Sequence, residues 1–182
     1  MKTVLLVNQK GGSGKTTIAD ELVFNLERKG HKVTFQSLDA QGGSIHYGSM
    51  PDEDTEYRVI DSPGAMPKEF KNWCSAADII IIPTKPGIPD LAPFNRTYSA
   101  ARQAAPKAHI GIVVNFYDAR RVVDRNFVEE FVKPLMLDVF AYIPSTTQVA
   151  RAQAEQISVF DYDRNSEVAK AFDALADKVL SL

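Results

Sequence analysis

The 182-residue chain predicts a single-domain α/β fold, doubly wound around a mostly parallel sheet. Three observations carry this expectation. Short, nearly uninterrupted apolar runs recur along the chain, as strands covered on both faces require. Segments with helical periodicity separate them. The first apolar run also passes through a glycine-rich loop straight into a helical pattern. A 45% hydrophobic chain of this length buries a substantial core, so residues 1–182 are read as one domain.

The first strand is expected over 2–8, around Thr3-Val4-Leu5-Leu6-Val7. A helix follows over 15–29, where Ile18, Leu22, Val23 and Leu26 share one face and Gly30 is the stop. Strands over 32–38 and 57–61 flank the acidic stretch Pro51-Asp52-Glu53-Asp54-Thr55-Glu56, a solvated loop without chemistry. Trp73 and Cys74 read as packing residues near the end of a short helix. Ile79-Ile80-Ile81-Ile82 is a buried strand over 78–83, and further strands cover 109–115 and 138–143. Helices are expected over 90–105, 122–133, 145–155 and 165–180; the last has an apolar stripe and balanced charge, as a packed closing helix does. In such a fold ligands bind beyond the carboxyl ends of the strands, so the loops that follow the strands gather on one edge.

Composition narrows the function classes. The net charge of −2 predicts neither a nucleic-acid nor a membrane partner by itself. The single cysteine, Cys74, can form no internal disulfide and no cysteine-rich metal site, which suits a reducing cytoplasm. The apolar part of the N-terminus is too short for a signal peptide, and no apolar run approaches the ~20 residues of a membrane span. His31, His46 and His109 are isolated in sequence and read as surface or strand-edge residues.

The chemistry concentrates in Lys10-Gly11-Gly12-Ser13-Gly14-Lys15-Thr16-Thr17. Strand, glycine loop and helix in that order form a phosphate-binding loop: the glycines let backbone N–H groups converge on one anion at the positive end of a helix dipole. Lys15 reaches the β- and γ-phosphates, and the Thr16 hydroxyl is placed to ligate Mg²⁺. Ordinary spacing would put a glycine at position 9, where this chain has Gln9, and a second lysine, Lys10, opens the loop. That extra cation is costly unless it meets an anion.

KGGSGKTT resembles the deviant Walker A motif of the ParA/MinD group of P-loop ATPases. The resemblance implies that Lys10 reaches across a dimer interface to the nucleotide of the partner subunit, and it extends over nearly the whole chain. Ser37-Leu38-Asp39-Ala40-Gln41-Gly42 resembles the family's Asp-x-Asp-Pro-Gln segment, so Asp39 would orient the attacking water; Ser37 and Ala40 depart from the pattern. Read alone, Asp39 equally opens the turn through Gly42-Gly43. Tyr57-Arg58-Val59-Ile60-Asp61-Ser62-Pro63-Gly64 looks like a Walker B strand running into a nucleotide-sensing loop, with Asp61 near Mg²⁺ through a water and the Gly64 N–H near the γ-phosphate. Lys85, after the isoleucine strand in a region that borders the family's dimer interface, is left undecided. Asn115 resembles the adenine-recognising asparagine, although an amide there also caps a turn. Pro144 resembles part of the second base-lining loop, and the segments at 149–154 and 158–160 match the closing helix and loop.

Residues 96–125 carry six basic residues against Asp118 and Asp124, a net of +4. A local basic surface binds DNA phosphates even on a slightly acidic chain, with Arg120, Arg121 and Arg125 as the candidates, although such a run is also an ordinary solvated face. The resemblance is strongest to the small ParA ATPases of plasmid or chromosome partition. It implies ATP and Mg²⁺ as cofactors, an ATP-dependent homodimer, a centromere-binding adaptor and nonspecific DNA as partners, and no membrane. Three rivals are weighed: a MinD-like membrane positioner, which would end in a basic amphipathic helix; a nitrogenase-iron-protein-like ATPase, which needs more cysteines; and a dethiobiotin-type synthetase, against which Lys10 and the Asp39-x-Gln41 pairing argue.

Overall fold

In the computed structural model, which describes residues 1–39, 43–65 and 67–182, six strands form one sheet. They are β1 (Lys2–Leu6), β2 (Val33–Ser37), β3 (Tyr57–Asp61), β4 (Ile79–Thr84), β5 (His109–Tyr117) and β6 (Val139–Pro144). Their order is β2-β3-β1-β4-β5-β6, and every pairing is parallel. The chain winds to one side of β1 and then crosses to the other, which leaves a switch point at the carboxyl end of the central strand.

The apolar runs are continuous because consecutive residues serve opposite faces. Val4, Leu6, Ile79 and Ile81 pack toward α1 (Lys15–Arg28) and the last helix, whereas Leu5, Val7, Ile80 and Ile82 pack on the other side. That second layer holds α2 (Phe70–Ser75), α3 (Ile88–Ala104) and α4 (Val122–Phe127). The first layer is completed by α5 (Gln148–Ala154), α6 (Val159–Asp163) and α7 (Glu167–Leu180). Cys74 is buried in the second layer, and burial pushes its thiol up to about 12, an inert packing residue.

The boundaries depart from expectation in ways the residues explain. α3 begins earlier, at Ile88, because Pro89 occupies its first turn, where a missing N–H costs nothing. The helix expected over 122–133 ends as α4 and continues as a π-helical turn, Val128–Val132, which buries Phe127, Val128 and Val132 together. Ser158 starts α6 by accepting a hydrogen bond from the Asp161 N–H, turning an expected loop into a short helix. The apolar stripe of α7 (Val168, Phe172, Leu175, Ala176 and Val179) is buried against α1 and β6. Among the described residues no helix is long and apolar enough to cross a membrane.

His46 is a correction to the sequence reading. It is not isolated: its Nδ1 lies 2.8 Å from the Oδ1 of buried Asp20, and its ring packs 4.3 Å from that of Phe24. Asp20 also accepts from the Ser44 hydroxyl and from the Ile45 and His46 N–H groups, so this one carboxylate of α1 anchors the segment beyond β2. The acidic residues of this stretch are exposed, as expected, but tied down: Lys32 Nζ lies 2.9 Å from Asp52 and 3.3 Å from Asp54.

Candidate functional site

The glycine loop leaves β1 under tight control. The Val7 N–H donates to the Ile81 carbonyl, the Asn8 amide donates to the Pro83 carbonyl at 2.6 Å, and the Lys10 N–H donates to Asn8 Oδ1 at 3.0 Å. Asn8 therefore fastens the start of the loop to β4. The loop then turns through Gly12 (φ 70°) and Gly14 (φ 93°), left-handed conformations that disfavour any other residue. Gly14 caps α1, so the loop meets the positive end of a 14-residue helix.

A cavity of about 560 Å³ opens on this loop at the carboxyl edge of the sheet, lined by Gly12, Lys15, Thr16, Asp39 and Gly64 among others. Lys15 is buried, and desolvation lowers its ammonium from the ordinary value while Asp61 and Asp39 oppose that shift. The Thr16 hydroxyl donates to Asp61 Oδ2 at 2.6 Å, and the buried Oδ1 has no partner among the described residues. Burial pushes the Asp61 carboxyl up to about 6. A threonine hydroxyl beside an incompletely satisfied carboxylate is the oxygen donor set that a hard divalent cation takes, so the residues present fit Mg²⁺. Gly64 packs over the loop: a Cβ there would lie 3.4 Å from the Gly11 Cα and 3.7 Å from Lys15 Nζ. Ser37, which departs from the family carboxylate, receives the Asp39 N–H at 3.3 Å and so steadies the turn that carries Asp39. Ala40 and Gln41 lie outside the described residues.

A second cavity, about 150 Å³, adjoins the first through Gly14 and Thr17 and is bordered by Asn115, Phe116, Pro144 and Gln153. Asn115 donates to the Ser13 carbonyl at 2.9 Å and accepts from the Phe116 N–H at 3.0 Å. Its amide thus braces the glycine loop as well as facing the cavity. Gln153 of α5 donates to the Thr17 hydroxyl at 3.0 Å, tying the far wall to α1.

Residues 4–159 match the CobQ/CobB/MinD/ParA nucleotide binding domain. The chain belongs to this family. An uncharacterized protein of Methanocaldococcus jannaschii, MJECL24, is 23% identical, with 99% of this chain and 98% of that protein covered. Among solved structures, a McdA variant from Cyanothece in complex with ATP superposes with a TM-score of 0.83 at 16% identity, covering 98% of this chain and 96% of that one. The septum site-determining protein MinD from Pyrococcus horikoshii, complexed with Mg-ADP, gives 0.77 at 18% identity over 98% and 95%. These likenesses share the fold, and the matched family model is that of a nucleotide binding domain.

Lys10 is placed unlike Lys15. Lys10 does not line the cavity; its Nζ pairs with Asp90 Oδ2 of α3 at 2.6 Å. Two more contacts join α3 to the same stretch: the Gln9 N–H donates to the Thr97 hydroxyl, and Arg96 Nε donates to Gln9 Oε1. Asn8, Asp90 and Gln153 escaped the sequence reading. A polar residue directly after an apolar strand was the available sign for Asn8, and no local spacing marks the other two.

Arg120, Arg121 and Arg125 come together in the loop before α4 and in α4 itself, but their charge is partly neutralised. Arg120 holds Asp118 through two hydrogen bonds of 3.0 and 2.9 Å, Arg121 lies 3.7 Å from it, and Arg125 donates to the Ala119 and Arg120 carbonyls. The Arg120 guanidinium holds the Asp118 carboxyl down to about 2.

Proposed function

We propose that this protein is a Mg²⁺-dependent ATPase that closes as an ATP-sandwich dimer and acts in plasmid or chromosome partition with a centromere-binding adaptor. The observation that carries the reading is the division between two lysines of one loop. Lys15 lines the phosphate cavity, whereas Lys10 stands outside it, one-third exposed, on Asp90. A cation at the rim of its own cavity is suited to a nucleotide held by a second subunit, and transfer from Asp90 to a polyphosphate exchanges one anion for another.

In this reading the triphosphate lies along residues 10–17 and the base enters the smaller cavity beside Asn115 and Pro144. Lys15 neutralises β/γ-phosphate charge, and Asp39 holds a water in line with the γ-phosphorus; phosphoryl transfer asks chiefly for such positioning and neutralisation. Thr16 directly, and Asp61 through a water, would hold Mg²⁺, which supplies further neutralisation of phosphate oxygens. Gly64, packed on Gly11 and Lys15, senses the γ-phosphate, so its loss after hydrolysis loosens that loop and resets the dimer. Arg120, Arg121 and Arg125 would meet DNA phosphates. The ATP complex of McdA and the Mg-ADP complex of MinD support the cofactors.

The test is the Lys10→Ala variant. It should bind nucleotide as wild type does but stay monomeric with a non-hydrolysable ATP analogue in size-exclusion chromatography. A normal ATP-dependent dimer of the variant would refute the role across the interface.

A further inference from the structure

We propose that Lys85 is an additional phosphate-binding cation of this site, acting at the α-phosphate end of the nucleotide, where it is held by Phe116. The inference rests on the nucleotide-binding reading above and adds a residue to it. Lys85 lies between β4 and α3, half-buried. Its Nζ sits 4.6 Å from the centroid of the Phe116 ring and 3.8 Å from where a Cβ on Gly12 would be. Gly12 lines the phosphate cavity and Phe116 borders the base cavity, so the ammonium is bracketed by one residue of each. A nucleotide that fills both cavities would carry its α-phosphate between them, on the stretch of loop from Gly12 to Thr17.

Charge and strain point the same way. The other two lysines of the site have carboxylate neighbours: Lys15 faces Asp61 and Asp39, and Lys10 pairs with Asp90. Among the described residues, Lys85 has no carboxylate within ion-pair distance; its partner is the face of an aromatic ring. A cation so placed keeps its charge available for an anion, and the ring fixes its position without neutralising it. Phe116 itself has φ 58°, a left-handed conformation costly for a bulky residue, held by the Asn115 Oδ1 that accepts its N–H. The same asparagine braces the glycine loop through the Ser13 carbonyl, so the lysine, the ring and the loop form one connected unit.

The test compares wild type, Lys85→Met and Lys85→Arg by calorimetric titration with ADP, ATP and adenosine in Mg²⁺ at two salt concentrations. Lys85→Met keeps the length and apolar stem of the side chain. It should weaken ADP and ATP equally, by about tenfold, the scale of one charged hydrogen bond. It should leave adenosine binding and the melting temperature of the nucleotide-free protein unchanged and should reduce the salt dependence. Lys85→Arg should keep most of the affinity. Wild-type binding of ADP and ATP with no change in Lys85→Met overturns the proposal, and so does a loss confined to ATP, which would move the contact to the γ-phosphate. A drop in melting temperature or in adenosine binding that matches the lost ADP affinity makes Lys85 structural and overturns it too. Failure of the wild type to bind ADP or ATP overturns the nucleotide reading itself.

Discussion

Alanine at position 14 tests the geometry of the loop more severely than any change of charge. Gly14 has φ 93°, and a Cβ built on it would lie 2.1 Å from the Asn115 amide nitrogen, far inside contact distance. Two costs follow. The left-handed conformation carries roughly 1–2 kcal/mol for a residue with a Cβ. The Asn115 side chain must then swing away, which breaks its bond to the Ser13 carbonyl and its hold on the Phe116 N–H, a further loss of roughly 1–3 kcal/mol. Urea unfolding of Gly14→Ala should therefore show about 2–5 kcal/mol of destabilisation. Asn115→Ala alone should cost about 1–3 kcal/mol, because it removes the same two bonds without the clash. In the double variant those bonds are lost only once and alanine leaves room for the new methyl group, so its cost should fall short of the sum by about 1 kcal/mol or more. Additivity within about 0.5 kcal/mol would mean that the two side chains do not compete for one space, and the reasoning would fail.

Asp39→Ala should bind ATP and dimerise normally but turn over too slowly to reset; a dimer that persists in Mg-ATP is the expected result, and unchanged steady-state hydrolysis would move the catalytic role elsewhere. Glu21, buried in α1 with Oε1 on the Val159 N–H and Oε2 without a partner among the described residues, has its carboxyl pushed by burial up to about 7. Because the folded protein holds this proton more tightly than the unfolded chain, stability should fall as pH rises from about 4.5 to 7, by on the order of 3 kcal/mol, and level off above. Glu21→Gln should flatten that part of the profile in pH-dependent chemical denaturation, and an unchanged slope would assign it to other groups. If Arg120, Arg121 and Arg125 meet DNA, the ATP dimer should bind unrelated duplexes in fluorescence anisotropy with steep salt dependence, and the ADP form weakly, because dimerisation doubles the phosphate contacts. Replacing all three by Glu should abolish that binding but spare dimerisation; equal binding in ATP and ADP would count against a partition switch, and liposome binding instead would favour a membrane positioner.

All six strands stand where apolar runs marked them, because a parallel sheet covered on both faces writes itself as unbroken hydrophobic sequence: Ile79 and Ile81 serve one layer, Ile80 and Ile82 the other. The glycine loop was legible for a similar reason, since left-handed turns at Gly12 and Gly14 admit few other residues. Long-range polar partners were not. Asp90 reaches Lys10 across 80 positions, and Gln153 reaches Thr17 across 136, distances at which no periodicity operates. Lys85 could be noticed in the sequence but not assigned, because its meaning lies in a ring 31 residues onward and in a glycine 73 residues back. The correction at His46 has the same cause: its partner Asp20 lies 26 residues back, in α1.

In the proposed function, Lys15 and its loop hold the phosphates of a nucleotide. Titration of wild type and Lys15→Ala with fluorescent ATP in Mg²⁺ tests it most directly. The expected result is saturable binding to the wild type and none to the variant, with both proteins folded by circular dichroism. Near-wild-type affinity in Lys15→Ala would contradict it.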